Sequence, residues 1–138
     1  MKTLVALLAC VLITAEVEEA PHAIDTEASE INWTGYHLAK SYEHKGNIKL
    51  KSGSLDIDKG KLIGGNFIVD MTSITNSDIE KEKDNQKLVG HLKSPDFFDV
   101  VSFPEASFQI KSVDEESDGV YAISGDVTIR GITKEIAF

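Results

Sequence analysis

The stretch Asp118-Gly119-Val120-Tyr121-Ala122-Ile123-Ser124-Gly125-Asp126-Val127-Thr128-Ile129-Arg130 decides the fold class of this chain. Tyr121, Ile123, Gly125, Val127 and Ile129 fall on one parity, and Ala122, Ser124, Asp126, Thr128 and Arg130 on the other. Successive side chains of a strand point to opposite faces, so this alternation predicts a long antiparallel strand with one face buried and one wet or semi-wet. Asp118-Gly119 introduces it as a hairpin turn, because both residues tolerate positive φ. Gly125 in mid-strand predicts a bend, as at a barrel corner.

The same period of two extends through most of the chain. Ala106, Phe108 and Ile110 alternate with Ser107, Gln109 and Lys111, and Phe67, Val69 and Met71 share one face of an earlier strand. Leu55 and Ile57, Ile48 and Leu50, and Ile31 and Trp33 alternate with polar neighbours, and Asp58-Lys59-Gly60 supplies a hairpin turn. Residues 78–93 break the pattern. Leu88 and Leu92 stand four apart with Val89 beside Leu88, which is helical spacing. Asp84 is placed to cap this helix, Gly90 weakens it by about 1 kcal/mol relative to alanine, and Pro95 ends it. The run Glu80-Lys81-Glu82-Lys83-Asp84 reads as a solvated face. Many alternating strands joined by tight turns, with one short helix, predict an all-β antiparallel sheet that is strongly curved or closed into a barrel. A sandwich is the competing architecture, and long strands with a mid-strand glycine favour the barrel.

After the helix comes His91-Leu92-Lys93-Ser94-Pro95-Asp96-Phe97-Phe98-Asp99-Val100. Adjacent phenylalanines cannot face the same way in a strand or a helix. Phe97 and Phe98 therefore serve two environments, such as a core and the rim of a cavity.

The length of 138 residues fits one domain. A short basic start, Met1-Lys2-Thr3, leads into the apolar run Leu4–Ile13 and the small residues Thr14-Ala15. The run is too short to span a bilayer as a helix. Residues 1–15 read as a secretory signal peptide, giving a periplasmic or secreted protein, and 16–28 as an acidic leader. Leu7-Leu8-Ala9-Cys10 alternatively has the form of a lipoprotein cleavage site, though Val11-Leu12-Ile13 then stands where a polar tether belongs. Cleavage near Ala15 leaves no cysteine, so the fold cannot rely on disulfides. It also removes Lys2, taking the formal net charge from −9 to −10. Such an acidic chain lacks the clustered cations that nucleic acid requires, and charge alone does not bring it to an anionic membrane.

Four segments in order carry a resemblance: Gly64–Ile74, Lys87–Val100, Phe103–Phe108 and Gly125–Lys134, with Ile31-Asn32-Trp33-Thr34-Gly35 ahead of them. Together they resemble the YceI-like family of bacterial proteins over roughly residues 29–138. The resemblance implies an exported, antiparallel, lipocalin-like β-barrel associated with binding polyisoprenoid or similar amphiphilic lipids inside the barrel. Family members usually continue for a few strands past the Gly131-Ile132-Thr133-Lys134 position, whereas this chain stops at Phe138 within what reads as a strand. The expected barrel is therefore short of C-terminal strands, or closed differently.

A barrel lined by Trp33, Phe67, Val69, Phe108, Ile110, Tyr121, Ile123, Val127 and Ile129 shelters an isoprenoid tail, with Phe97 or Phe98 at the rim and His91 or Lys93 meeting a polar or phosphate head group. The plain alternative is that these residues pack on one another as core, and the Phe97–Phe98 segment is only a helix exit. That alternative corresponds to a non-catalytic stress-response or surface-interaction module with a filled barrel. Catalysis has little support. His91, Asp96, Asp99, His37 and His44 are the acid–base candidates, yet none stands at a known catalytic or metal-ligand spacing. The expectation is no enzyme, no cofactor and no metal. The ligand's identity and the oligomeric state are not legible.

Overall fold

The computed structural model describes residues 20–36 and 42–138. Residues 1–15, Cys10 and His37, singled out above, lie outside the described residues. The chain forms β1 (His22–Ala23), β2 (Ile31–Tyr36), β3 (Glu43–Asp58), β4 (Lys61–Asp70), a 3₁₀ turn (Met71–Ser73), α1 (Glu82–Lys93), β5 (Glu105–Ser117), β6 (Val120–Ile129) and β7 (Ile132–Ala137). All pairings are antiparallel, in the order β1-β3-β4-β5-β6-β7, with β2 paired to the first half of β3. Among the described residues the sheet does not close: β2 and β7 each keep one unpaired edge. β1 falls within the segment read as a leader and pairs His22 with Leu55, so the sheet begins before residue 29.

Three two-residue turns set the register. Lys59 and Gly60 both take positive φ between Asp58 and Lys61, and Arg130 and Gly131 do the same between Ile129 and Ile132. Positive φ at both central residues matches the twist of the flanking strands. At Asp118-Gly119 only Gly119 uses positive φ. The sequence reading assigned that freedom to both residues.

Register converts alternation into two faces. One row runs Ser54–Asn66–Gln109–Asp126–Glu135 across five strands and is wholly polar. On the opposite face the rows are Leu50–Val69–Ala106 and Gly53–Phe67–Phe108–Val127–Lys134. Lys111 bridges Asp126 at 2.7 Å and Glu135 at 3.9 Å on the polar face, and Lys51 pairs with Glu105. The apolar face carries α1. Ile48, Met71, Ile74, Leu92, Val100 and Ala106 form a buried cluster at one end, with Ile31, Trp33, Val69, Leu88 and Phe98 packed against it.

Three local expectations need correction. The helix N-cap is Lys81, with no side-chain capping bond, and Asp84 lies inside the first turn. There a carboxylate still complements the helix dipole. Met71 is buried, but it starts the 3₁₀ turn after β4 instead of extending the strand face. Asp70 caps that turn by accepting hydrogen bonds from the Thr72 N–H and hydroxyl, which hold its carboxyl below the ordinary value. Finally, neither parity of β6 is fully covered: Gly125 is its one buried residue and Ile129 is exposed. Among the described residues this single sheet has no facing sheet, which leaves both sides partly wet.

The crossover from β4 to α1 runs along the edge of β3 that β4 leaves bare. Thr75 N–H donates to the Asn47 carbonyl and Ser77 N–H to the Lys45 carbonyl, at 2.9 and 2.8 Å. Asp78 accepts the Lys45 N–H at 2.6 Å and contacts His44 Nδ1 at 2.8 Å. The Lys45 N–H, then the His44 ring, lower the Asp78 pKa to about 2. Trp33 Nε1 donates to the Thr75 carbonyl at 2.9 Å across Gly46, where a Cβ would lie 1.8 Å from that oxygen.

Two glycine substitutions should move stability in opposite directions. Gly46→Ala must push Trp33 and Thr75 apart, and urea unfolding should show a loss of roughly 1–3 kcal/mol or more. Gly90 meets nothing within 4 Å of a Cβ position, so Gly90→Ala should gain about 1 kcal/mol from helix propensity. The Asp78 carboxylate favours the folded state because its pKa is lowered on folding. Its contribution is complete above about pH 4 and is lost as the pH falls through the folded value of about 2. The stability gap between the natural protein and Asp78→Asn should be open at pH 7 and close near pH 2, and a gap of constant size would refute the coupling.

Candidate binding face

Beyond the buried cluster the apolar face continues toward the β3–β4 and β5–β6 turns, and among the described residues no helix lies over it. Phe67 and Phe108 stack with ring centroids 6.3 Å apart, and Phe108 meets Phe138 at 5.8 Å. Phe138 joins the sheet by exchanging two main-chain hydrogen bonds with Ile123. Next to this aromatic line runs the row Ile110–Gly125–Ile136, and Leu55 pairs with Gly65 in the same orientation. The face is thus a band of large side chains over a floor interrupted by Gly53, Gly65 and Gly125.

Gly125 shows why the floor needs gaps. A Cβ there would stand 2.7 Å from the Phe108 ring and 2.4 Å from the Gln109 carbonyl. The Phe108 ring lies over the space a side chain would fill, and that lets it lean toward Phe138. The glycine's place in mid-strand predicts a bend. The adjacent register shift between Ile110 and Ser112 is where the strand irregularity sits, and a bulge of this kind bends and twists a strand.

The sequence-nominated lining residues separate into three groups. Phe67, Phe108, Ile110, Tyr121, Ile123 and Val127 lie on β4–β6 beyond the cluster, and of these Ile110 is buried while the rest are half-buried. Trp33, Val69 and Phe98 pack against the buried cluster. Phe97 and Ile129 are exposed at the end of the sheet where α1 terminates. The two phenylalanines do serve different surroundings: Phe98 reaches the core, and Phe97 stands edge-on to it at 4.8 Å. Leu55, Ile136 and Phe138 were not nominated. Their alternation was visible, but only register shows which strands they face.

The head-group candidates sit at the end of α1. His91 is exposed and packs edge-on against Phe97 at 6.1 Å, and Lys93 is half-buried near Asp70. They cluster with Phe97, away from the Phe108–Phe138 contact. The His44–Asp78 pair has the look of a catalytic dyad, but the second Asp78 oxygen holds the Lys45 N–H and Asn76 Nδ2, both at 2.6 Å, as part of the edge cover. No group of three or more His, Cys, Asp or Glu able to hold a metal occurs among the described residues. On the polar face, Ser112, Asp114, Ala122, Ser124 and Ala137, bordered by Ile123 and Phe138, line a shallow open depression of about 420 Å³.

A family model described as the YceI-like domain matches residues 22–138. The chain belongs to the YceI-like family. Its match begins at β1, the strand inside the acidic segment. Relatives named UPF0312 proteins include one of Pseudomonas fluorescens, 32% identical over 143 residues, spanning 99% of this chain and 70% of the relative. One of Vibrio campbellii is 31% identical over 121 residues. This chain spans 60% of that Vibrio protein's length. Among solved structures, Burkholderia cenocepacia BcnA superposes with a TM-score of 0.65 at 16% identity, covering 83% of this chain and 67% of the other. A Campylobacter jejuni YCEI protein gives 0.55 at 24% identity, covering 83% and 63%. At these identities the likeness is one of fold, and it supports the antiparallel, lipocalin-like class expected for the YceI-like family.

Gly125→Ala should drive the Phe108 ring off its place. We expect a lowered melting temperature together with loss of the ring-current shifts linking Phe108 and Phe138 in methyl and aromatic NMR spectra. An unchanged aromatic spectrum would show that the glycine is not what seats the ring.

Proposed function

We propose that this chain is part of an exported, non-enzymatic carrier that shelters a polyisoprenoid or similar amphiphile against the apolar face of its sheet. The observation that carries this reading is the line Phe67–Phe108–Phe138, with Ile110, Ile123 and Val127 beside it on the same face and, among the described residues, no helix packed over it. Apolar surface left in water costs about 25 cal/mol per Å². A slender hydrocarbon chain laid along the band removes that cost on both partners at once. Binding of this kind needs no chemical step, only an apolar floor and a few polar groups to orient the head. Membership of the YceI-like family, associated with polyisoprenoid binding, supports the class of cargo. The basic start, apolar run and small residues of 1–15 support export to the periplasm or beyond.

Trp33 is the chain's single tryptophan and packs in the buried cluster that adjoins the band, which makes it a built-in energy donor. Titrating the full chain with a dansylated farnesol should give saturable energy transfer from Trp33. Phe108→Asp should abolish the saturable part while circular dichroism stays native. Transfer that never saturates, or that survives Phe108→Asp in a folded protein, would sink the carrier reading.

A further inference from the structure

A lysine stands on the apolar band. The row Gly53–Phe67–Phe108–Val127 ends on β7 at Lys134, which pairs directly with Val127. Residues paired across an antiparallel sheet project to the same face, so this lysine shares the face of the two phenylalanines. Along β7 its neighbours on that face are Ile132 and Ile136, opposite Ile129 and Gly125. The carboxylates beside it in the ladder, Glu135 and Asp126, belong to the polar row on the other face, where Lys111 bridges both. Glu115, at the far turn, is paired with Lys61, and Glu105 with Lys51. No carboxylate among the described residues comes within bridging distance of Lys134, those of Asp96 and Asp99 on the loop after α1 included.

A cation at the border of an apolar band is placed to meet the head of an amphiphile whose tail lies along the band. The geometry points to Lys134 as the residue that binds the head of the cargo, and to a head with a single negative charge, the carboxylate of a long-chain acid. This rests on the carrier reading above and deepens it. The lysine ammonium is a compact point charge with three donors, suited to one acid group. Phosphate and diphosphate heads are better served by arginine forks or by main-chain N–H groups at a helix N-terminus. The chain's single arginine, Arg130, donates instead to the Phe97 carbonyl at 2.6 Å. The first turn of α1 carries Glu82 and Asp84, which repel an anion. His91 and Lys93, nominated from the sequence, lie at the end of α1, off this row. Neighbouring strands are about 4.8 Å apart, so a tail leaving Lys134 crosses β6 and β5 and reaches Phe67 after about 14 Å. β7 is exposed throughout, which leaves the ammonium accessible to an incoming head.

The test titrates the full chain with dansylaminoundecanoic acid and, in parallel, with its uncharged methyl ester, reading saturable energy transfer from Trp33. The acid should bind about fivefold more tightly than the ester, and added salt should narrow the difference. Lys134→Gln should erase the preference while the ester's affinity and the melting temperature stay unchanged, and Lys134→Arg should keep it. Equal affinities for acid and ester in the natural protein, a preference that survives Lys134→Gln, or a loss shared equally by both probes would overturn the head-group assignment and leave the carrier reading standing. So would a preference that Lys93→Gln removes and Lys134→Gln does not. Saturable binding of neither probe to the natural protein would bring down both.

Discussion

An indole N–H reaching over a glycine to a main-chain carbonyl holds this molecule's closed end together. β4 ends at Asp70, opposite Lys49, so the first half of β3 has a bare edge on that side. Buried main-chain donors and acceptors must find partners. The crossover after β4 supplies them through Thr75, Ser77 and Asp78, and the Trp33–Thr75 bond ties that crossover to β2 on the far side of β3. The glycine at 46 is the space through which the bond passes. Because the crossover is anchored there, α1 starts at the right place to lay Leu88 and Leu92 on the sheet.

That anchoring divides the apolar face in two. Over one part α1 and the loop after it bury Ile48, Val100 and Ala106. Over the other, no helix among the described residues follows, and large side chains stay half-covered. The same chain therefore has a solid end, which supplies stability, and an apolar band that stays half-covered. Phe98 and Phe97 stand at the far side of the solid end from the band, one turned to the core and the other to water. The contact between the Arg130-Gly131 turn and the loop after α1 fixes the relative position of sheet and loop, so the exposed apolar tips at that end form one surface instead of two.

Much of the strand pattern was legible because the period of two is strict wherever one face is apolar. Phe108 and Ile110, or Val127 and Ile129, could hardly be anything but one face of a strand. The turn at Lys59-Gly60 was equally legible, since its backbone chemistry is local. The helix was found by the Leu88–Leu92 spacing, yet its start was misplaced. Asp84 has capping chemistry, but the backbone of Lys81 takes the cap position without any side-chain bond. Gly125 was read as a bend from its place in a strand. Its contact with the Phe108 ring involves a residue on another strand, which no local pattern contains.

The candidate site was legible only as a set of face-sharing residues. The sequence by itself determined that this is an antiparallel sheet of amphipathic strands with one helix, because alternation, helical spacing and turn chemistry are properties of neighbouring residues. Which apolar residues became solid core and which stayed open was decided only in three dimensions. Trp33 and Val69 share the strand periodicity of Phe67, Phe108 and Ile123. What separates them is whether α1 and the loop after it pack on them, and that follows from where a distant crossover hydrogen-bonds to the edge of β3.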